Sequence, residues 1–293
     1  MKKPLQSFLR KYFSEFSQFE LVLPLLSLTI GIGIVHKASV TIEYSKSIQF
    51  FLLIVLIESG SQVFKIYSEH FGVVVNIEER NSYERQLLII LIAFFFGLST
   101  LPLSQIFISE NSHFGLMIAL ASSIFISIIL RYPMQRAYWQ IMAKFLFAFN
   151  NSFLIPITQI LLYDIHVSIL FTTIVQVLFL TIMSYSIIEE IVKIEIRKKR
   201  SDIVSAVGTI PLLNMCAVLL IFSLIMLAVY VLNQHETALI VLLAISAGLM
   251  VFILYNLVQI NQLNKKGLMN ISKSVFILLM LNYIGVSLYL WGI

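Results

Sequence analysis

Apolar residues in this chain come in long uninterrupted blocks rather than in alternation or in single helical stripes. Runs bounded by charges or turn residues cover about 21–35, 48–64, 87–108, 114–130, 138–162, 166–188, 206–232, 238–257 and 272–292. A helix rises about 1.5 Å per residue, so about twenty apolar residues cross the roughly 30 Å hydrocarbon layer of a bilayer. Strands of a membrane barrel would alternate instead, over segments of about ten residues. The pattern predicts an all-α, polytopic membrane protein with nine transmembrane helices. Residues 1–20, with Lys2, Lys3, Arg10, Lys11, Glu15 and Glu20, read as a cytoplasmic amphipathic segment rather than a cleavable signal, and 21–293 as a single transmembrane helical domain.

Composition agrees with that reading: 59% of residues are hydrophobic and 12% charged, where about 25% charged is usual for a soluble domain. The placement of charge adds an orientation. With the N-terminus in the cytoplasm, 18 of the 20 Lys and Arg fall on the cytoplasmic side, and only Lys37 and Lys46 fall outside. This is the bias expected of inner loops. A multi-pass protein of a bacterial inner (plasma) membrane is expected, with the lipid bilayer as its first partner. The net charge of +5 is then mostly topology. Nucleic acid is not an expected partner, because the basic residues are spread over short loops without an aromatic platform. One cysteine, Cys216, excludes an intramolecular disulfide. No glycine-rich phosphate loop, zinc spacing or nucleophile elbow occurs.

Outer connections are short, whereas 65–86 and 189–205 are long and charged, so any chemistry is expected on the cytoplasmic face. The second run ends in a polar stripe. At about 100° per residue, Glu58, Gln62, Lys65 and Glu69 share one helical face. A carboxylate as deep as Glu58 costs about 2.5 kcal/mol or more in lipid, so it faces a bundle interior or a wet cavity. It either pairs with Lys65, bonds a neighbouring helix, or belongs to a site. The sixth run ends with Glu189, Glu190, Lys193 and Glu195, in which Glu189 and Lys193 form an i,i+4 pair. Beside the ion-pair reading stands a functional one, in which carboxylates of both segments supply oxygen ligands that hold Mg²⁺ against a phosphate. Between runs four and five, Tyr138 and Trp139 suit an interfacial belt, and Arg136 suits a bidentate fork on phosphate. The five histidines share no spacing that suggests a metal, and only His70, next to Glu69 of the polar stripe, is set apart by its neighbour.

These features, together with Tyr132-Pro133-Met134-Gln135-Arg136-Ala137-Tyr138-Trp139, resemble the UbiA-type intramembrane prenyltransferase superfamily, whose fourth helix leads into a Tyr-Pro-x-x-Arg-x-x-Trp connection. The resemblance implies a UbiA-like bundle. In that family an Asn/Asp-rich motif after the second helix and an Asp-x-x-x-Asp motif after the sixth bind Mg²⁺ and the diphosphate of an isoprenoid donor. Laid on this chain, Gln62 and Lys65 take the two Asn positions of the first motif, Ile66 the first Asp, Glu69 the next and Val73 the last. In the second motif, aligning Gly208 with the family's glycine places Ile191 on the first Asp and Glu195 on the last, with Glu190 one residue out of register.

The implied metal ligands are therefore Glu69 and Glu195, which with Arg136 are the implied catalytic residues. Glu58, Gln62, Lys65 and Tyr132 are implied to bind substrate, as are Glu189, Glu190 and Lys193. The implied activity is transfer of a prenyl group from an isoprenoid diphosphate to a lipophilic or aromatic acceptor. The alternative is a non-catalytic relative that binds an isoprenoid or other lipid, or that serves as subunit for a membrane partner. A transporter would want more polar breaks in mid-membrane than Glu58, Asn150, Asn151, Gln159, Gln176 and Asn214 provide.

Overall fold

The computed structural model describes residues 18–71, 82–109, 114–129, 137–165, 169–195, 202–234, 236–259 and 265–292. Among them there is helix and turn but no strand, as lipid demands of a chain whose backbone groups must be satisfied within each segment. In chain order the helices are α1 (Gln18–Lys37), α2 (Tyr44–Phe71), α3 (Ser82–Ser109), α4 (Phe114–Ile129), α5 (Ala137–Phe149), α6 (Ile155–Leu161), α7 (Ile169–Glu195), α8 (Asp202–Val207), α9 (Thr209–Gln234), α10 (Thr237–Gln259) and α11 (Lys265–Trp291).

Each of the nine expected runs overlaps one or two of these helices over its described residues. Among the described residues seven helical stretches are long and apolar enough to cross a membrane: Tyr44–Ser68, Glu84–Ile106, Trp139–Leu161, Phe171–Ile194, Thr209–Leu232, Leu239–Leu257 and Gly267–Trp291. The first and fourth runs form the shorter apolar helices Val22–Lys37 and Phe114–Ile129.

Two expected spans differ in detail. The run 138–162 is not one α-helix, because a π-helical turn, Asn150–Leu154, joins α5 to α6. Pro156 accounts for it: proline has no N–H for the carbonyl of Ser152 and its ring crowds that carbonyl, so the ladder widens just ahead of it. The run 206–232 likewise breaks at Gly208, whose φ of +89° closes α8 while its N–H bonds the Val204 carbonyl at 2.9 Å. This is a left-handed cap, after which α9 starts afresh at Thr209.

The chain divides into two compact units, 1–28 with 42–133 and 29–41 with 134–293. In the first, α2 packs along α3 and also meets α4. Gly60 lets α2 and α3 approach closely, since a Cβ there would lie 3.1 Å from Cβ of Phe95. One core cluster is Val63, Ile66 and Leu88, covered by Tyr67, Leu91 and Phe95. In the second unit α7 is central, in contact with α5, α9 and α11, while α10 packs on α9 and α11. Its centre carries polar bonds between helices: Thr181 meets Ser223 at 2.9 Å, and Asn282 bonds both Thr181 (3.4 Å) and Ser246 (3.2 Å).

Candidate functional site

In the first unit the polar stripe on α2 is real, and each described member of it finds a partner on another helix. Glu58 is 4% exposed, and its Oε1 accepts a hydrogen bond from Ser127 Oγ of α4 at 2.8 Å. Of the readings open for Glu58, the bond to a neighbouring helix is the one seen. Ser123, one turn before Ser127 on α4, is buried as well. Gln62, 1% exposed, donates from Nε2 to Oε2 of Glu20 at 3.2 Å. Lys65 reaches the same Glu20 oxygen at 3.5 Å, so its ion pair is with α1.

Glu20 and Ser127 were missed from sequence. A signal existed for both: Glu20 heads the first apolar run, where a carboxylate needs a partner, and Ser123 and Ser127 are four apart in a helix whose other polar residue is Ser122. Ile66, placed by the resemblance on an Asp of the first motif, lies in the Val63–Leu88 core. It is a packing position and not a ligand.

In the second unit the centre is Glu190 on α7. Its Oε1 meets Lys193 Nζ at 2.8 Å and Lys144 Nζ, from α5, at 2.9 Å. The carboxylate that Lys193 is seen to hold is thus Glu190, at i,i+3, rather than the Glu189 expected at i,i+4. Glu189, about 100° further round the helix, is half-buried. Lys144 was read from sequence only as an inner-side charge. Ile191, which the resemblance places on the first Asp of the second motif, is fully buried in the core. Side-chain exposure is 11% for Glu190 and 22% and 28% for Lys144 and Lys193.

From Lys144 an aromatic row runs along α5. Phe145 meets Phe179 of α7 edge to face at 5.2 Å, Phe149 stacks on Phe153 at 5.1 Å, and Phe153 meets Phe171 at 5.8 Å between ring centroids. Further along, Asn150, Asn151 and Ser152 of the π-turn are buried, and Tyr283 donates to the Asn151 carbonyl at 3.4 Å. At the opposite end of this unit, Lys37 lies 3.3 Å above the Tyr289 ring and 3.5 Å from Glu236, and His36 stacks on Trp291 at 5.0 Å.

Val73, Tyr132 and Arg136 lie outside the described residues, and so do the side chains of Glu69 and Glu195, although their backbones extend α2 and α7. Among the described residues no group of three His, Cys, Asp or Glu side chains could hold a metal ion. The described donors do not fit Mg²⁺, which demands near-octahedral oxygen ligands. Glu190 spends its Oε1 on two ammonium groups, and Glu20 spends its Oε2 on Gln62 and Lys65.

No protein-family model matches the chain, and no curated protein matches it by sequence. A solved structure of digeranylgeranylglyceryl phosphate synthase in membranes, a UbiA-type intramembrane prenyltransferase, matches 98% of this chain and 100% of its own at a TM-score of 0.63 and 13% identity. The likeness is one of fold. It bears out the fold that the sequence resemblance implied, and this chain is a multi-pass membrane protein with that architecture.

Proposed function

We propose that the protein is an intramembrane prenyltransferase, which transfers a prenyl group from an isoprenoid diphosphate to a lipophilic or aromatic acceptor. The observation that carries the reading is the whole-chain likeness of fold to a prenyltransferase. Two features of the second unit agree with it: a cationic cluster at Lys144, Glu190 and Lys193, and the row Phe145, Phe149 and Phe153 that leads away from it. A charged head and an apolar unsaturated tail ask for such a pair of surfaces.

In the reaction the bond between the allylic carbon and the diphosphate oxygen breaks, and the pyrophosphate leaves with both electrons. The acceptor's nucleophile closes on the allylic cation and gives up a proton. Lys144 and Lys193 act by neutralising the charge that grows on the leaving group, and Arg136 is assigned a bidentate fork on the same phosphates. Aromatic faces shelter the cation by their quadrupoles. In the first unit Glu58, Gln62 and Lys65, the substrate residues implied by the resemblance, are held on Ser127 and Glu20, so their part in the proposal is to fix the helices that carry them. Glu69 and Glu195, the carboxylates that continue α2 and α7, keep the catalytic roles implied by the resemblance as part of the proposal.

The test is release of pyrophosphate and formation of prenylated product by the purified full-length protein in detergent, with a panel of allylic diphosphates and lipid-extract acceptors, in Mg²⁺ and in EDTA. Product that is lost with Glu69→Ala or Glu195→Ala is the expected outcome. A second reading, an isoprenoid- or lipid-binding relative without turnover, draws on Ile66 and Ile191, which pack in the core where the family's motifs carry acids. Bound donor without product across the whole panel would decide for it.

A further inference from the structure

We infer that the π-turn in the middle of the α5–α6 span is a binding site for a neutral O–H donor, held by the side chains of Asn151 and Ser152. The inference stands apart from the prenyltransferase reading and needs no isoprenoid.

Three observations carry it. The first is depth. Asn150 is the middle residue of the 23-residue span Trp139–Leu161, and Asn150, Asn151 and Ser152 are each at most 1% exposed. No acidic residue lies between 137 and 161, so a cation held there would have no carboxylate on its own span to neutralise it, and neutral oxygens suit a neutral donor. Second, Asn151 Oδ1 and Ser152 Oγ are buried and find no hydrogen-bond partner among the described residues. The Asn151 amide nitrogen already donates to the Phe147 carbonyl at 2.9 Å, which leaves Oδ1, an acceptor, as the group on offer. Ser27, Thr158, Thr181 and Ser184 spend their hydroxyls on the carbonyl four residues back, at 2.7–2.8 Å, and Ser152 does not. Third, the turn leaves a carbonyl over. The Ile155 N–H bonds the Asn150 carbonyl and Pro156 has none, so the ladder passes over the Asn151 carbonyl, which Tyr283 meets at 3.4 Å, long for a hydroxyl donor. Two acceptors of one residue thus lack a close donor at a depth where the bilayer offers none. An O–H group serves both side chains, since it donates to Asn151 Oδ1 while its oxygen accepts from the Ser152 hydroxyl. A π-turn in an α-helix is a common place for such a site.

Two sources carry this chemistry, a water molecule and the hydroxyl of a long-chain alcohol lying along Phe149 and Phe153, the stacked rings that flank the turn. The experiment places the full-length protein, labelled with ¹⁵N at asparagine, in liposomes of phosphatidylcholine, a lipid without a hydroxyl. Proton-detected solid-state NMR then reads magnetisation transfer from water to the side-chain amides, the Asn151 signal being the one missing from Asn151→Leu. Asn282 is the internal control, since it is 2% exposed and its amide bonds Thr181 and Ser246. The expected result is a water cross-peak at Asn151, weakened in Ser152→Ala, and none at Asn282. Thermal unfolding gives a second readout by sign. A buried hydroxyl without a partner is a burden, so its removal in Ser152→Ala raises the melting midpoint, helped by the helix propensity of alanine. A hydroxyl that holds a ligand makes the same substitution lower the midpoint, by about 2 °C, and that fall is the expected result.

Farnesol labelled with ¹³C at its alcohol-bearing carbon, added to the same liposomes, assigns the source. A contact from that carbon to the Asn151 amide supports the site with an alcohol as its ligand, and a water cross-peak that persists supports it with water. Neither contact at Asn151, or a higher midpoint for Ser152→Ala, overturns the site and leaves the prenyltransferase reading standing.

Discussion

Gly31→Ala tests how closely α1 lies on the α6 segment of the second unit. A Cβ built at Gly31 would fall 2.7 Å from Cβ of Gln159, 3.1 Å from its Cγ and 3.0 Å from the backbone oxygen of Pro156. Ordinary van der Waals contact begins near 3.4 Å, so the overlap with the Gln159 Cβ is 0.7 Å. None of that overlap is relieved by swinging a side-chain tip, because a Cβ and a carbonyl oxygen move only with their backbone. One helix must shift, and overpacking of that kind costs about 1–3 kcal/mol. Gly97 and Gly248, where an added Cβ meets nothing within 4 Å, are matched controls. There alanine gains up to about 1 kcal/mol of helix propensity and costs nothing in packing. The protein carries its own reporter: Cys216, its single cysteine, is fully buried, so a thiol-reactive fluorophore labels it only as the fold opens. At about 2 °C per kcal/mol for a chain of this size, the melting midpoint of Gly31→Ala should fall by about 2–6 °C while those of Gly97→Ala and Gly248→Ala hold or rise. Equal midpoints for all three variants would refute the close approach.

Other expectations follow from the buried polar bonds. A double-mutant cycle of Glu58→Gln and Ser127→Ala, read by the same labelling assay, should give a coupling of about 0.6–1.7 kcal/mol, the range for interhelical hydrogen bonds in membranes; no coupling would mean that the 2.8 Å bond is not formed in lipid. Thr181→Val keeps the shape but removes the hydroxyl that meets Val177, Ser223 and Asn282, and should destabilise by about 1 kcal/mol. Glu236→Gln breaks the ion pair with Lys37 at a site where both side chains are well exposed, 48% and 35%, so the midpoint should move by less than that of Thr181→Val.

What sequence could foresee divides along a physical line. Span positions follow from length and hydropathy because a bilayer fixes the length of an apolar segment whatever its neighbours do. A single lipid-facing requirement thereby placed α2, α3, α7, α9, α10 and α11 before any packing was known. The side-chain partnerships were not open to the same reasoning. The periodicity of α2 put Glu58, Gln62 and Lys65 on one face, but whether Lys65 would turn to Glu58 or to Glu20 depends on which helix lies against that face. Lys144 makes the same point more sharply. As one charge in a count of inner-side charges it indicated topology, and its partner Glu190 was one of several acids in a segment with a ready local explanation, the Glu189–Lys193 pair.

Helix packing overrides that local explanation. Bringing α5 against α7 supplies a second cation to Glu190, and the preference for the i,i+3 partner over the i,i+4 one then has a cause, since a partly buried carboxylate is held best where two donors meet it. The same step alters the chemistry of the motif position. One oxygen of the Glu190 carboxylate is thereby committed to two ammonium groups. Ile66 and Ile191, each buried in the core of its own unit where the family's motifs have acids, offer no oxygen to a cation at those positions. The fold and the charge pattern therefore make separate statements about this protein. The fold is a statement of architecture, and the Lys144–Glu190–Lys193 cluster shows how the packing of α5 on α7 sets a partnership that the local sequence does not.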